Sequence, residues 1–161
     1  MTRQDFLFNS FRELSEPVFE QVSPNEVTYV PNVDFFTAEY SGSGDVEAPL
    51  QAVDLVLPPG EEARSSNRGC EPEEFGDFVE GNIALVQRGT CDFSVKAHNA
   101  FVAGAVGVII FNEGQEGRTE TLAATLGDAF SDDLPVIGTS FEIGNELASL
   151  LEEGEVVIHL A

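Results

Sequence analysis

The spacing of apolar residues changes period twice between positions 83 and 111. Ile83-Ala84-Leu85-Val86 is a short continuous apolar run bounded by Gly81-Asn82 and Arg88-Gly89, which predicts a buried strand. From Phe93 the period lengthens. Phe93, Ala97, Ala100, Phe101 and Gly104 fall at offsets of three and four, and that spacing predicts one face of a helix. Asp92 is placed to cap it, and Gly104 and Gly107 to end it. Val108-Ile109-Ile110-Phe111 then predicts a second buried strand. A strand-helix-strand unit of this length has parallel strands and a right-handed crossover by default.

The flanks carry weaker versions of the same signals. Val27 to Val30 and Asp34 to Tyr40 predict strands, and Ser41-Gly42-Ser43-Gly44 a turn. Gln51 to Leu57 predicts a strand with Val53, Leu55 and Leu57 on one face, stopped by Pro58-Pro59-Gly60. Residues 58 to 82 are polar, acidic and turn-rich, with Arg64 to Gly69 as a loop. One helical turn is expected at Glu73 to Phe78, where Phe75 and Phe78 plug the core. Leu134 to Thr139 predicts a strand, and Ser140 caps a helix over 141–153 whose apolar face is Ile143, Leu147, Leu150 and Leu151. Gly154 ends that helix, and Glu155 to Leu160 forms a last strand. At the start of the chain, Leu7, Phe11, Leu14 and Val18 predict an amphipathic helix ended near Pro17. Such a helix either packs on its own domain or meets a neighbouring one. The expected division is therefore an N-terminal amphipathic segment, 1–24, and one domain, 25–161.

Composition narrows the class. The 161 residues, 42% hydrophobic with 13 Phe, are enough for one domain with a substantial core. No apolar run approaches the roughly 20 residues of a membrane span. Met1-Thr2-Arg3-Gln4-Asp5 lacks the charged-then-apolar plan of a signal peptide, so an exported protein would have its targeting sequence outside this chain. The net charge of −22 argues against nucleic acid and against anionic membranes as partners. It leaves two readings, solubility in a saline medium or a surface that meets cations or a basic partner.

Catalytic constellations are missing from the pattern. Cys91 has no adjacent histidine, and His98 lies two turns along the same expected helix. His98 and His159 match no zinc-ligand spacing. Ser43 lacks the leading glycine of a nucleophile elbow. No catalytic or metal-ligating residues are therefore assigned. Asp128, Asp132 and Asp133 form an acidic loop that departs from the EF-hand template. Loose calcium binding is the sharper expectation for it, and a solvated loop the plainer one. Lys96, one of 7 basic residues, is read as structural, pairing with a carboxylate or covering apolar surface with its stem. Cys70 and Cys91 fit either one disulfide in an exported protein or two idle thiols in the cytosol.

In a parallel strand-helix unit the loops at the C-terminal ends of the strands gather on one edge, where ligands bind. The expected peptide- or partner-binding edge is thus Arg88, Gly89 and Thr90 after one strand, with Asn112, Glu113, Gly114 and Gln115 after the next. Arg88 brings a guanidinium fork suited to a carboxylate or a peptide carbonyl. The alternative is that it only ties down the turn, pairing with an acid such as Asp92.

The order Val86-Gln87-Arg88-Gly89-Thr90-Cys91-Asp92-Phe93, then Lys96-Ala97, Asn99-Ala100, Ala103-Gly104-Ala105 and Val108 to Asn112, resembles the signature of the protease-associated (PA) domain. Tyr40 to Val46, Ala52 to Gly60, Gly69-Cys70-Glu71 and Leu134 to Ser140 resemble the version that accompanies bacterial zinc aminopeptidases, so the likeness covers roughly residues 35–161. The resemblance implies an α/β fold of β/β/α architecture, a mixed sheet or partly closed β-barrel flanked by two main helices, 93–104 and 141–153. It implies a Cys70–Cys91 disulfide and a secreted or extracytoplasmic protein. It also implies a non-catalytic interaction module, whose partners are a peptide or protein substrate or an adjacent peptidase domain. Two other readings stand beside it: an acidic structural or cation-binding module, and a hydrolase in its own right.

Self-repulsion at this net charge predicts a salt dependence. Thermal melts from low to near-molar sodium chloride should show a rising midpoint, as counter-ions screen the carboxylates. A flat or falling curve would mean that pairing or bound cations already neutralise them.

Overall fold

The computed structural model describes residues 16–61 and 69–161. In chain order it runs β1 (Phe19–Ser23), β2 (Val27–Thr28), β3 (Phe35–Thr37), β4 (Val46–Ala52), a 3-10 turn (Pro72–Phe75), β5 (Ile83–Gln87), α1 (Phe93–Val102), β6 (Gly107–Phe111), β7 (Val136–Thr139), α2 (Phe141–Glu153) and β8 (Val157–Leu160). The described strands form one mixed sheet of eight, in the order β2-β1-β8-β4-β5-β6-β7-β3. This is the expected α/β architecture, a curled sheet with a helix on each face.

The centre is parallel. β5 pairs with β6 from Ile83 opposite Gly107 to Gln87 opposite Phe111, and β4 and β7 add on either side, also parallel. Successive side chains on a strand point to opposite faces, so the two apolar runs serve two cores at once. Ile83, Leu85, Ile109 and Phe111 join Leu147 and Ala148 of α2 on one face. Ala84, Val86, Val108 and Ile110 join Ala97 and Ala100 of α1, with Phe75, on the other. Burying each large side chain of this kind contributes about 1.5–3 kcal/mol. The outer strands β1, β8 and β3 are antiparallel additions.

The expected turn with Phe75 as a plug is present, and Phe78 packs partly beneath it. Ser140 accepts a hydrogen bond from the Ile143 amide at 3.2 Å, which caps α2. Other expectations shift. The strand expected at 51–57 lies instead at 46–52. It breaks where Asp54 takes a positive φ of 43°. Beyond the break the Gln87 side chain replaces a strand partner, accepting from the Val56 amide at 2.7 Å and donating to its carbonyl at 3.1 Å. The strands expected at 27–30 and 34–40 shorten to Val27–Thr28 and Phe35–Thr37. Asp92 stands at the N-cap of α1, but its side chain makes no cap bond. Gly104, at φ 102°, ends that helix, whereas Gly107 already belongs to β6.

The buried face of α1 is Lys96, Ala97 and Ala100, and Phe101 is 40% exposed. Two alanines let the helix sit close to the sheet, which rotates the bulky Phe101 outward. The boundary expected at residue 24 falls after β1, whose Phe19 is fully buried between Tyr29 and Phe35. Residues 1–15 of the amphipathic segment, with Leu7, Phe11 and Leu14, lie outside the described residues, as does the loop from Arg64 to Arg68; Val18, expected on the same helix face, is not helical and instead leads into β1, its amide donating to the Ala161 carbonyl at 2.9 Å.

Two outcomes follow. α2 crosses so close to β6 that a Cβ on Gly144 would overlap the Phe111 ring. Gly144→Ala should therefore lower stability by about 1–3 kcal/mol despite its better helix propensity, and urea unfolding measures it. On β8, both ring nitrogens of His159 meet carboxylates, Nδ1 with Glu20 at 2.9 Å and Nε2 with Asp45 at 2.7 Å. Those bonds raise its pKa above the ordinary value. A raised folded pKa gives stability that is complete below the unfolded pKa and is lost as pH rises through the folded one. His159→Gln should thus cost more at about pH 5.5 than at about pH 9, which melts at the two pH values compare.

Candidate functional site

The site begins where β5 and β6 end. The Arg88 amide donates to the Phe111 carbonyl at 2.8 Å, carrying the parallel pairing one residue past the strand. Its guanidinium Nη1 donates to Asn112 Oδ1 at 3.1 Å. Asn112 is itself held on both sides: Oδ1 accepts from the Glu113 amide at 3.0 Å, and Nδ2 donates to the Glu120 carbonyl at 2.9 Å. Gln87 Nε2 donates to the Glu113 carbonyl at 3.0 Å. The side-chain amides of Gln87 and Asn112 at this buried strand end are thereby satisfied within the chain, as burial demands.

Glu113 is 1% exposed, and Arg118 turns back over it. Arg118 Nε and Nη2 stand 3.0 and 2.9 Å from the same oxygen, Glu113 Oε1. The turn between them is closed by the Gly114 amide donating to the Arg118 carbonyl at 2.8 Å. Gln115 reaches across to the Gly60 carbonyl at 2.9 Å. Asn112, Glu113, Gly114 and Gln115 thus act as framework.

Arg88, Gly89 and Thr90 do line open space. A cleft of about 360 Å³ runs between residues 88–94 on one wall and Arg118 with Thr125, Leu126 and Gly127 on the other. The edge expected from the sequence divides accordingly, with 88–90 facing the cleft and 112–115 holding it in shape. Arg88 pairs with Asn112 as part of that frame while also lining the cleft. Arg118 and the 125–127 wall were not assigned from the sequence. The signal for Arg118 is its rarity: the described residues contain three Lys or Arg side chains, Arg88, Lys96 and Arg118, and two of them, Arg88 and Arg118, line this cleft.

The disulfide joins Cys70 to Cys91, with Cα atoms 5.9 Å apart and a sequence separation of 21. It anchors the irregular stretch before β5 to the cleft wall, and closing a loop of this size stabilises by about 3 kcal/mol in the chain-entropy model. Asn99 of α1 adds a second tie, donating to the Gly69 carbonyl at 3.0 Å. Behind the disulfide, Lys96 is fully buried, with Nζ 3.8 Å from Cys70 Sγ. Burial lowers its pKa to about 8, against the opposing pull of Glu74 and Glu113. Between that value and an unfolded pKa near 10.4, the unfolded chain holds a proton that the folded one has released, so this group makes stability rise with pH there.

Of the acidic loop, Asp132 stands 2.6 Å from His98 Nδ1. Among the described residues no group of three or more His, Cys, Asp or Glu side chains comes together as a metal would need. No helix among them is long and apolar enough to cross a membrane.

The PA domain family model matches residues 46–147. An aminopeptidase of Pseudomonas aeruginosa is 39% identical over 142 residues, covering 88% of this chain and 26% of that protein. A leucine aminopeptidase 2 of Trichophyton equinum is 36% identical over 92 residues, 57% of this chain and 18% of the relative. Among solved structures, an aminopeptidase from Aneurinibacillus sp. strain AM-1 superposes with a TM-score of 0.66 at 25% identity, over 91% of this chain and 30% of that one. BSAP, a zinc aminopeptidase from Bacillus subtilis, gives 0.64 at 21% identity over the same shares, which speaks for the fold. The chain spans about a quarter of the length of the Pseudomonas relative. With the matched span covering both helices' approach to the parallel core and the loop between them, the chain belongs to the PA domain family.

Proposed function

We propose that this domain is a non-catalytic interaction module of an aminopeptidase-like protein, and that it binds peptide or protein chains in the cleft between residues 88–94 and 125–127. In this reading it acts on which substrates reach an adjacent peptidase domain. The observation that carries it is the cleft itself. It lies at the C-terminal edge of the parallel strands, where α/β folds place ligands, and a buried framework of Gln87, Asn112, Glu113 and Arg118 holds it in shape. The similar proteins are aminopeptidases of which this chain matches a minor part. The disulfide favours an exported protein, since such bonds persist in oxidising compartments.

Two measurements test the reading. The purified chain should not hydrolyse aminoacyl-nitroanilides, with or without added zinc; turnover that survives repurification and disappears with one point mutation would sink the non-catalytic assignment. A peptide array should yield ligands for the chain, and Thr90→Trp, which fills the cleft from an exposed position, should abolish their binding while leaving the melting midpoint unchanged. Undiminished binding in that variant would move the site elsewhere.

A further inference from the structure

The two sulfurs of the disulfide have different surroundings. Cys91 lines the cleft, whereas Cys70 lies behind it. The Lys96 ammonium donates to Cys70 Sγ at 3.8 Å, and the Thr90 hydroxyl stands on the same sulfur at 3.7 Å. A disulfide sulfur carries no proton, so both groups donate to it. Neutral sulfur is a weak acceptor, and it offers little to a lysine that is fully buried. A thiolate is an anion, and an adjacent lysine stabilises it. The surroundings of Cys70 thus suit its reduced form better than its oxidised one.

We propose that Cys91 is a thiol-exchange site, attacked from the cleft by a low-molecular-weight thiol, with Cys70 leaving as a thiolate held by Lys96 and Thr90. In this step the attacking thiolate, its proton already lost to solvent, bonds to Cys91 Sγ. The Cys70–Cys91 bond breaks, and its electron pair leaves on Cys70 Sγ. The attacking sulfur is oxidised and Cys70 is reduced, so the thiol is the only co-reactant. A leaving thiol of lower pKa departs faster, which makes Cys70 the leaving group and Cys91 the site of the mixed disulfide. Burial draws the Lys96 pKa down to about 8, against the attraction of Glu74 and Glu113, so the ammonium is still charged at neutral pH. Glu71 and Glu73 near Cys70 are exposed, and solvent screens them. The start of α1 favours a thiolate at Cys91 as well, but the Asp92 carboxylate at the helix N-cap opposes it. Cys70 does not drift away once the bond opens. Its neighbour Gly69 packs on the lysine stem, where an added Cβ would stand 3.4 Å from Lys96 Cγ, and Asn99 holds the Gly69 carbonyl at 3.0 Å. The thiolate therefore stays beside the ammonium, placed to displace the thiol again. Meanwhile the cleft carries the substituent of the thiol. This chemistry is independent of whether the cleft binds peptides.

The test incubates the full chain with reduced glutathione at neutral pH without denaturant, followed by acid quench, alkylation and peptide mapping by mass spectrometry. Glutathione should be found on Cys91 and the alkyl group on Cys70, with the reverse product at least about tenfold rarer. An even or reversed distribution overturns the proposal. So does a native chain that forms no adduct while the urea-unfolded chain does. Lys96→Met should slow adduct formation by about tenfold in the folded chain and leave it unchanged in urea; an unchanged folded-state rate overturns the role of the lysine. Should that variant lower the melting midpoint, Thr90→Val decides. It removes the hydroxyl from an exposed position and should slow the reaction by about threefold at an unchanged midpoint. A Thr90→Val rate equal to that of the parent chain overturns the assignment of Cys70 as the leaving group.

Discussion

Every residue of β5 and β6 is buried, and the rest of the structure answers to that condition. A strand covered on both faces needs a packed layer above and another below. α1 supplies one with Ala97 and Ala100, and α2 the other with Leu147 and Ala148. The condition also extends to the strand ends. Gln87 and Asn112 are 0% and 4% exposed, so their amides need partners inside the protein. They find them in the loops on either side: Val56 before β5, and Glu113 and Glu120 after β6. An unsatisfied amide at such a position costs about 1–3 kcal/mol, enough to matter against the total stability of a domain. The loops that frame the cleft are therefore fixed by the same burial that makes the core.

That coupling explains what was legible in the sequence. The two parallel strands were readable because Ile83 to Val86 and Val108 to Phe111 are unbroken apolar runs, and α2 because Ser140, its apolar face and Gly154 agree with one another. The face of α1 was misread at Phe101. Periodicity records where apolar residues recur, but the two alanines that let the helix approach the sheet outweighed the larger ring. The strand expected at 51–57 failed for a related reason. Its alternation is real, yet its hydrogen bonds run to the Gln87 side chain, a partner 31 residues away for Val56. The cleft was half legible. The edge at residues 88–90 follows from the rule for parallel strands, whereas the burial of Glu113 depends on Arg118, which the sequence shows only as a scarce cation.

The placement of cations bears on how an acidic domain can carry a site at all. Burying Lys96 is costly, as its pKa of about 8 records: loss of hydration outweighs the attraction of Glu74 and Glu113. Glu113 is buried as well, and removing its partners would leave an uncompensated charge, an arrangement far more destabilising than the pair itself is stabilising. These groups therefore hold one another in place. Arg118 is locked over Glu113, and Glu113 is locked to Gln87 through its backbone, so the arginine is positioned by the core and not by a flexible stem. A surface arginine in this chain would be surrounded by mobile carboxylates and screened by salt. One paired from beneath with a buried carboxylate is screened far less, and its direction is set by the packing of the strand ends and not by the solvent.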